Sequence, residues 1–157
     1  RAEDRPVEDM PPIVRDRHMT AQRNAGLVKD VTQVAAAAKL GSAVIVDARS
    51  QDRFEGAAPE PREGLRAGHI PGSRNLPFGT LLTEAGTMQD RDTIRAAFDT
   101  AGVDLERPII TTCGSGVSAA VLNLALEHIG HRNHALYDGS WAEWGAYDEL
   151  RVATGPA

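Results

Sequence analysis

Short runs of consecutive apolar residues alternate along this chain with longer stretches whose apolar positions recur every three or four residues. This is the pattern of buried strands separated by amphipathic helices. Residues 43–46, 108–112 and 135–137 are continuous and rich in β-branched or aromatic side chains, which predicts strands covered on both faces. Leu27-Val28 and Asn75-Leu76 predict two shorter strands. Residues 31–40 form an alanine-rich helical stretch with Asp30 as N-cap and Gly41 as its stop. Ile94, Ala97, Phe98 and Ala101 give residues 92–101 one apolar face, with Gly102 just beyond, and residues 117–129 form an apolar helix closed by Gly130. Thr80 suits the cap of a brief helix ending near Gly86, and Ser140 opens a terminal helical segment. Residues 48–72, punctuated by glycine and proline, read as a long loop, either functional or disordered. The order βαβ, loop, βαβαβα predicts an α/β fold, an open and mainly parallel sheet with helices on both faces.

Residues 1–25 carry ten charged residues and three prolines without periodicity, so they read as a charged leader or linker, and the domain proper is expected over 26–157. A chain of 157 residues that is 41% apolar supports one core. No apolar run approaches the roughly 18 residues of a membrane span, and residues 1–10 lack a signal-peptide layout, so no membrane contact and a cytoplasmic location are expected. A net charge of -5 without any basic stretch argues against nucleic acid. Arginine greatly outnumbers lysine, represented only by Lys29 and Lys39, which suits forked recognition of carboxylates. A single cysteine, Cys113, excludes an internal disulfide and a multi-cysteine zinc site.

Cys113 falls where a buried strand runs into a glycine loop and then a helix, Pro-Ile-Ile-Thr-Thr-Cys-Gly-Ser-Gly-Val-Ser-Ala-Ala. The carboxyl end of such a strand is where open α/β sheets place their sites. A helix N-terminus there favours a thiolate, and Gly114 and Gly116 let successive N–H groups curl around it. Three other readings fit the same window. Gly114, Gly116 and Ala119, followed by Asp138, match a dinucleotide fingerprint locally, but too little chain follows to complete that fold. A cysteine phosphatase needs an arginine where Ala119 stands. Finally, a buried cysteine is often inert filler.

The loop Cys113-Gly114-Ser115-Gly116-Val117-Ser118 resembles the active-site loop of the rhodanese superfamily, in the form carried by its 3-mercaptopyruvate sulfurtransferase branch; the thiosulfate branch has Arg and Lys at the positions of Gly114 and Ser115. Gly68-His69-Ile70-Pro71-Gly72-Ser73 resembles the family's GHIPG(A/S) segment, and Tyr137-Asp138-Gly139-Ser140-Trp141-Ala142-Glu143-Trp144 its YDGSWxEW segment. Asp47-Ala48-Arg49, Arg53-Phe54 and Glu60-Pro61-Arg62 fit between them, so the likeness runs from Val28 to Trp144 in the family's order.

The resemblance implies a rhodanese-like fold and a Cys113 persulfide that carries sulfur from a small-molecule donor, 3-mercaptopyruvate, to a thiol, thioredoxin-type protein or cyanide. It implies that Arg53 and Arg62 grip the donor's carboxylate and carbonyl, and that Ser115 polarises the thiol or the substrate oxygen or is a neutral spacer. A thiosulfate-preferring rhodanese and a non-catalytic sulfur-sensing or docking module are the alternatives. Because such enzymes usually have two tandem rhodanese domains, the chain is expected to be the catalytic second half, lacking an N-terminal rhodanese domain. No cofactor is expected. His128, His131 and His134 have a ligand-like spacing but straddle a helix end without a carboxylate partner, so no metal is expected either. His69 is expected to hold its turn by hydrogen bonds, and Asp47 to anchor loop backbone. Trp141 and Trp144 either cap the sheet or line the cleft mouth.

Overall fold

The computed structural model describes residues 24–157 together with Pro11, Thr20 and Gln22. Nearly all of the charged leader expected at residues 1–25 lies outside the described residues. Five strands form one parallel sheet: β1 (Val28–Lys29), β2 (Val44–Asp47), β3 (Arg74–Asn75), β4 (Ile109–Thr112) and β5 (His134–Tyr137), in the spatial order β1-β5-β4-β2-β3. The helices are α1 (Val31–Leu40), α2 (Gln51–Phe54), α3 (Arg91–Thr100), α4 (Val117–His128) and α5 (Ser140–Trp144).

The central strands β2 and β4 are buried at every position, and their side chains alternate between two cores. Val44, Val46 and Ile109 pack with Ile94 and Phe98 of α3 and Leu122 and Leu126 of α4 on one face. Ile45 and Ile110 pack with Val34 of α1 and Trp141 and Trp144 of α5 on the other. Helices therefore cover both faces, as the continuous apolar runs predict. Each fully buried Leu, Ile or Phe contributes about 1.5–3 kcal/mol relative to leaving it in water. Local signals set the helix ends. Asp30 and Gln33 form a reciprocal capping box on α1, Gly41 closes that helix at φ 61°, and Asp90 accepts from Asp92 and Thr93 at the start of α3.

Three local expectations need correcting. The long loop contains one helical turn, α2, too short to show a period; Phe54 fixes it by burying against His69, with stacked ring centroids 3.8 Å apart. Thr80 caps nothing. It sits inside a 3-10 helix at Phe78–Leu81 and donates to the Pro77 carbonyl, and the chain to Gly86 is a turn closed by a bridge between Leu82 and Met88. The third strand is Arg74–Asn75, one residue earlier than the apolar position suggests, because Asn75 turns its amide to the Asp47 and Arg49 carbonyls.

Candidate active site

Strand β4 ends at Thr112, and the chain passes through Cys113, Gly114, Ser115 and Gly116 into α4. Gly116 adopts φ 83°, and a Cβ there would lie 3.0 Å from the Asp138 carbonyl, so only glycine makes this tight entry without strain. The result turns the first N–H groups of α4 toward the sulfur. Burial pushes the Cys113 thiol up, but the Ser118 hydroxyl and the N–H groups of Ser115, Ala119 and Ser118 outweigh it, and the thiol falls below its ordinary value. The lowering contact from the Ser115 residue is its backbone N–H, while the side-chain contact comes from Ser118. The Ser118 hydroxyl faces the sulfur. Val117 is the exposed first residue of α4.

The loop is held from behind by the segment that opens α5. The Cys113 N–H donates to Ser140 Oγ (3.2 Å), which donates to the Tyr137 carbonyl (2.8 Å). The N–H groups of Trp141 and Ala142 donate to the carbonyls of Cys113 (2.9 Å) and Gly114 (3.0 Å). Ser140 is buried at φ 52°, a left-handed conformation that a non-glycine residue keeps only when its surroundings enforce it. Gly139 leaves room for Glu143, whose carboxylate accepts from the Tyr137 hydroxyl at 2.8 Å. Burial, then the bond to Glu143, raises the Tyr137 phenol well above its usual value, so it stays protonated and donating. The motif residues of this segment are thus the scaffold of the cysteine loop. Trp141 and Trp144 are both buried, donating to the Arg66 and Arg151 carbonyls, so they pack the sheet, and neither lines the pocket at Cys113.

A pocket of about 240 Å³ opens beside the sulfur and brings together Arg53, Glu60, Arg62, Cys113, Gly114, Ser115 and Ser118. Residues far apart in sequence, Arg53 and Arg62 from the long loop and Cys113 just after β4, thus line one pocket. Arg53 approaches the loop so closely that a Cβ on Gly114 would lie 3.1 Å from its Nη2. Arg62 is exposed at the rim. Behind them runs a buried chain of charges. Asp47 accepts from the backbone N–H, Nε and Nη2 of Arg49 (2.9, 3.1 and 2.7 Å); Arg49 also reaches Glu60 and the Gly68 carbonyl (both 2.7 Å) and lies 4.4 Å over the Trp141 ring. Spacing alone gave Arg49, Glu60 and Ser140 no role. Arg49 has Asp47 two positions away, but its bond to Glu60, that of Glu60 to Arg53 and that of Ser140 to Cys113 join positions too far apart in sequence for spacing to show.

His69 does what its turn suggested. Its Nδ1 meets the Phe54 carbonyl at 2.8 Å, and its backbone pairs with Ala153, so the segment around Gly68 is tied to the C-terminal tail. His134 departs from expectation: its Nε2 lies 3.0 Å from Glu127, a carboxylate one helix turn before Gly130. Burial, then the nearby charges of His131 and Arg132, lower its pKa and favour the neutral ring. Among the described residues, no group of three or more His, Cys, Asp or Glu side chains is placed to hold a metal ion, and no helix is long and apolar enough to cross a membrane.

If the Ser118 hydroxyl helps hold the thiolate, Ser118→Ala slows alkylation of Cys113 by iodoacetamide at pH 7 by about tenfold, the scale of one hydrogen bond to a charged group. The pH–rate curve moves to higher pH, because a lowering contact has been removed. An unmoved curve counts against that bond.

A parallel α/β sheet thus presents one buried cysteine with a lowered thiol in a glycine loop, and two arginines line the same small pocket. The chain belongs to the rhodanese-like domain family, whose pattern matches residues 30–147. It is 46% identical over 129 residues to the 3-mercaptopyruvate sulfurtransferase of Escherichia coli, covering 82% of this chain and 46% of that protein. It is 40% identical over 156 residues to the thiosulfate sulfurtransferase of Rattus norvegicus, covering 98% of this chain and 52% of that one. The crystal structure of SseA from Escherichia coli, described as a 3-mercaptopyruvate sulfotransferase, superposes with a TM-score of 0.72 at 38% identity over 89% of this chain and 52% of that one. The chain thus spans about half the length of these relatives.

Proposed function

We propose that this chain is the catalytic domain of a sulfurtransferase that takes sulfur from 3-mercaptopyruvate, with residues 26–157 as the domain and 1–25 as a linker from a preceding rhodanese domain. The observation that carries this is the lowered Cys113 thiol facing Arg53 and Arg62 in one pocket, supported by the names of the relatives and by a loop without cationic side chains at Gly114 and Ser115. In the first half-reaction the Cys113 thiolate attacks the donor sulfur. The S–S bond forms as the C–S bond breaks, the bonding pair leaves as the enolate of pyruvate, and that carbanion takes a proton to become pyruvate. Arg53 and Arg62 hold the carboxylate and carbonyl through paired charge-assisted bonds, and stabilise charge that builds on the enolate oxygen. Ser115, at the mouth of the same pocket, is within the site to donate to that oxygen. In the second half-reaction an external thiol, thioredoxin-type protein or cyanide attacks the outer sulfur and frees the Cys113 thiolate. An acceptor thiol lies outside these 157 residues, which hold one cysteine.

A thiosulfate-preferring activity is the second reading, favoured by the 40% identity to the rat thiosulfate sulfurtransferase over nearly the whole chain. Intact mass spectrometry after incubation with each donor tests both. The expected result is a gain of one sulfur from 3-mercaptopyruvate, removed by cyanide, with Arg53→Ala raising KM for mercaptopyruvate more than for thiosulfate. No sulfur gained by a folded chain sinks the enzymatic reading, and equal KM effects count against a carboxylate clamp.

A further inference from the structure

The pocket beside Cys113 contains a carboxylate that the sulfur chemistry does not use. Glu60 lines it with a side chain only 2% exposed, fixed between two guanidinium groups. Its Oε1 accepts from Arg49 Nη1 at 2.7 Å and its Oε2 from Arg53 Nη2 at 2.5 Å. Arg49 is immobilised independently of Glu60, by Asp47, by the Gly68 carbonyl and by the face of Trp141. Arg53 differs. Its side chain is 26% exposed, and Glu60 supplies every hydrogen bond drawn from its guanidinium among the described residues. Glu60 is thus the arm that carries the fixed position of Arg49 out to Arg53 and sets where that guanidinium stands against the cysteine loop.

The same carboxylate sets the charge of the pocket. Arg53 and Arg62 are its cationic side chains and Glu60 its fixed anion, with the Cys113 thiolate a second negative charge when the site is ready to react. These charges balance, so the pocket has no surplus positive charge: Glu60 and the thiolate repel any anion held by the two guanidinium groups, and they repel a dianion about twice as strongly as a monoanion in a partly dehydrated site. We propose that Glu60 is a positioning residue that places Arg53 and selects monoanionic 2-oxo acids over dianionic sulfur donors. This rests on the assignment of Arg53 as the substrate clamp.

Protection of Cys113 from iodoacetamide, read by intact mass, tests the idea without requiring turnover. Pyruvate serves as the monoanionic probe and inorganic sulfate as the dianionic one. In the unaltered chain pyruvate is expected to protect at lower concentration than sulfate; the opposite order overturns the proposal. Glu60→Gln, which keeps the shape and removes the charge, is expected to shift the ratio of half-protecting concentrations toward sulfate by at least about tenfold. Glu60→Asp keeps the charge but withdraws it from Arg53, so both probes weaken while their ratio stays. An unchanged ratio in folded Glu60→Gln shows that Glu60 merely balances Arg49 and overturns the proposal. If Glu60→Gln does not fold, Glu60→Asp decides: weaker protection by both probes supports it, and unchanged protection overturns it. Failure of the unaltered chain to take up sulfur from mercaptopyruvate is a separate result, which removes the proposed activity without touching the protection ratio.

Discussion

Cys113→Ser is expected to abolish sulfur uptake from every donor while leaving the fold in place. The side chain is buried at the end of β4, and serine is close to it in size, so the cores on either side of the sheet lose no packing. The chemistry does not survive the exchange. The N–H groups of Ser115, Ser118 and Ala119 that stabilise a thiolate cannot ionise a hydroxyl at neutral pH, and oxygen cannot store the transferred sulfur as a persulfide. Turnover should fall by at least about four orders of magnitude, the scale seen when an enzyme loses its nucleophile. Intact mass should show no added sulfur, and urea unfolding should stay within about 1 kcal/mol of the unaltered protein. Sulfur retained on Cys113→Ser would mean that another group accepts it.

The largest effect on stability is expected from Asp47→Ala. Asp47 and Arg49 both have side chains only 1% exposed, and the carboxylate takes four hydrogen bonds from Arg49. Removing it leaves a buried guanidinium with Glu60 as its remaining counterion, a kind of break that costs about 3–5 kcal/mol. That is a large part of the roughly 5–15 kcal/mol that stabilises a typical domain. Asp47→Asn still offers an acceptor to the Arg49 N–H and should cost less. Sulfur uptake should fall with stability, because Arg49 is the anchor of the Glu60–Arg53 arm. A urea midpoint shift equivalent to less than about 1 kcal/mol would place this pair with exposed salt bridges and refute the assignment of a buried charge chain.

Much of the fold was legible because local rules sufficed. Strands buried on both faces must be apolar at successive positions, so β2, β4 and β5 announce themselves in residues 43–46, 108–112 and 135–137. Helix ends carry their own chemistry, so Asp30 and Gly41 bracket α1 without reference to anything distant. Expectation failed where a short element is fixed by a remote partner. The single turn α2 exists because Phe54 stacks on His69, fifteen positions away in sequence, and no periodicity can reveal it. Thr80 has the residue type of a helix cap but lies in a 3-10 turn, since its hydroxyl finds the Pro77 carbonyl first.

For the candidate site the division is similar. The sequence by itself determined the candidate nucleophile and its local setting: one cysteine, a strand before it, glycines after it and a helix to follow, which together bring backbone N–H groups to the sulfur. It also supplied two arginines of the right chemistry. Only the tertiary structure decided that Arg53 and Arg62 stand in the pocket with Cys113, that Ser118 turns its hydroxyl to the sulfur, and that Ser140 holds the loop from behind. It alone revealed the chain from Asp47 through Arg49 and Glu60 to Arg53. The physical reason is range. Capping, strand burial and loop curvature are decided within a few residues, whereas Glu60 meets Arg49 and Arg53 across eleven and seven positions of an irregular loop without a period, and only the fold sets that loop against Cys113.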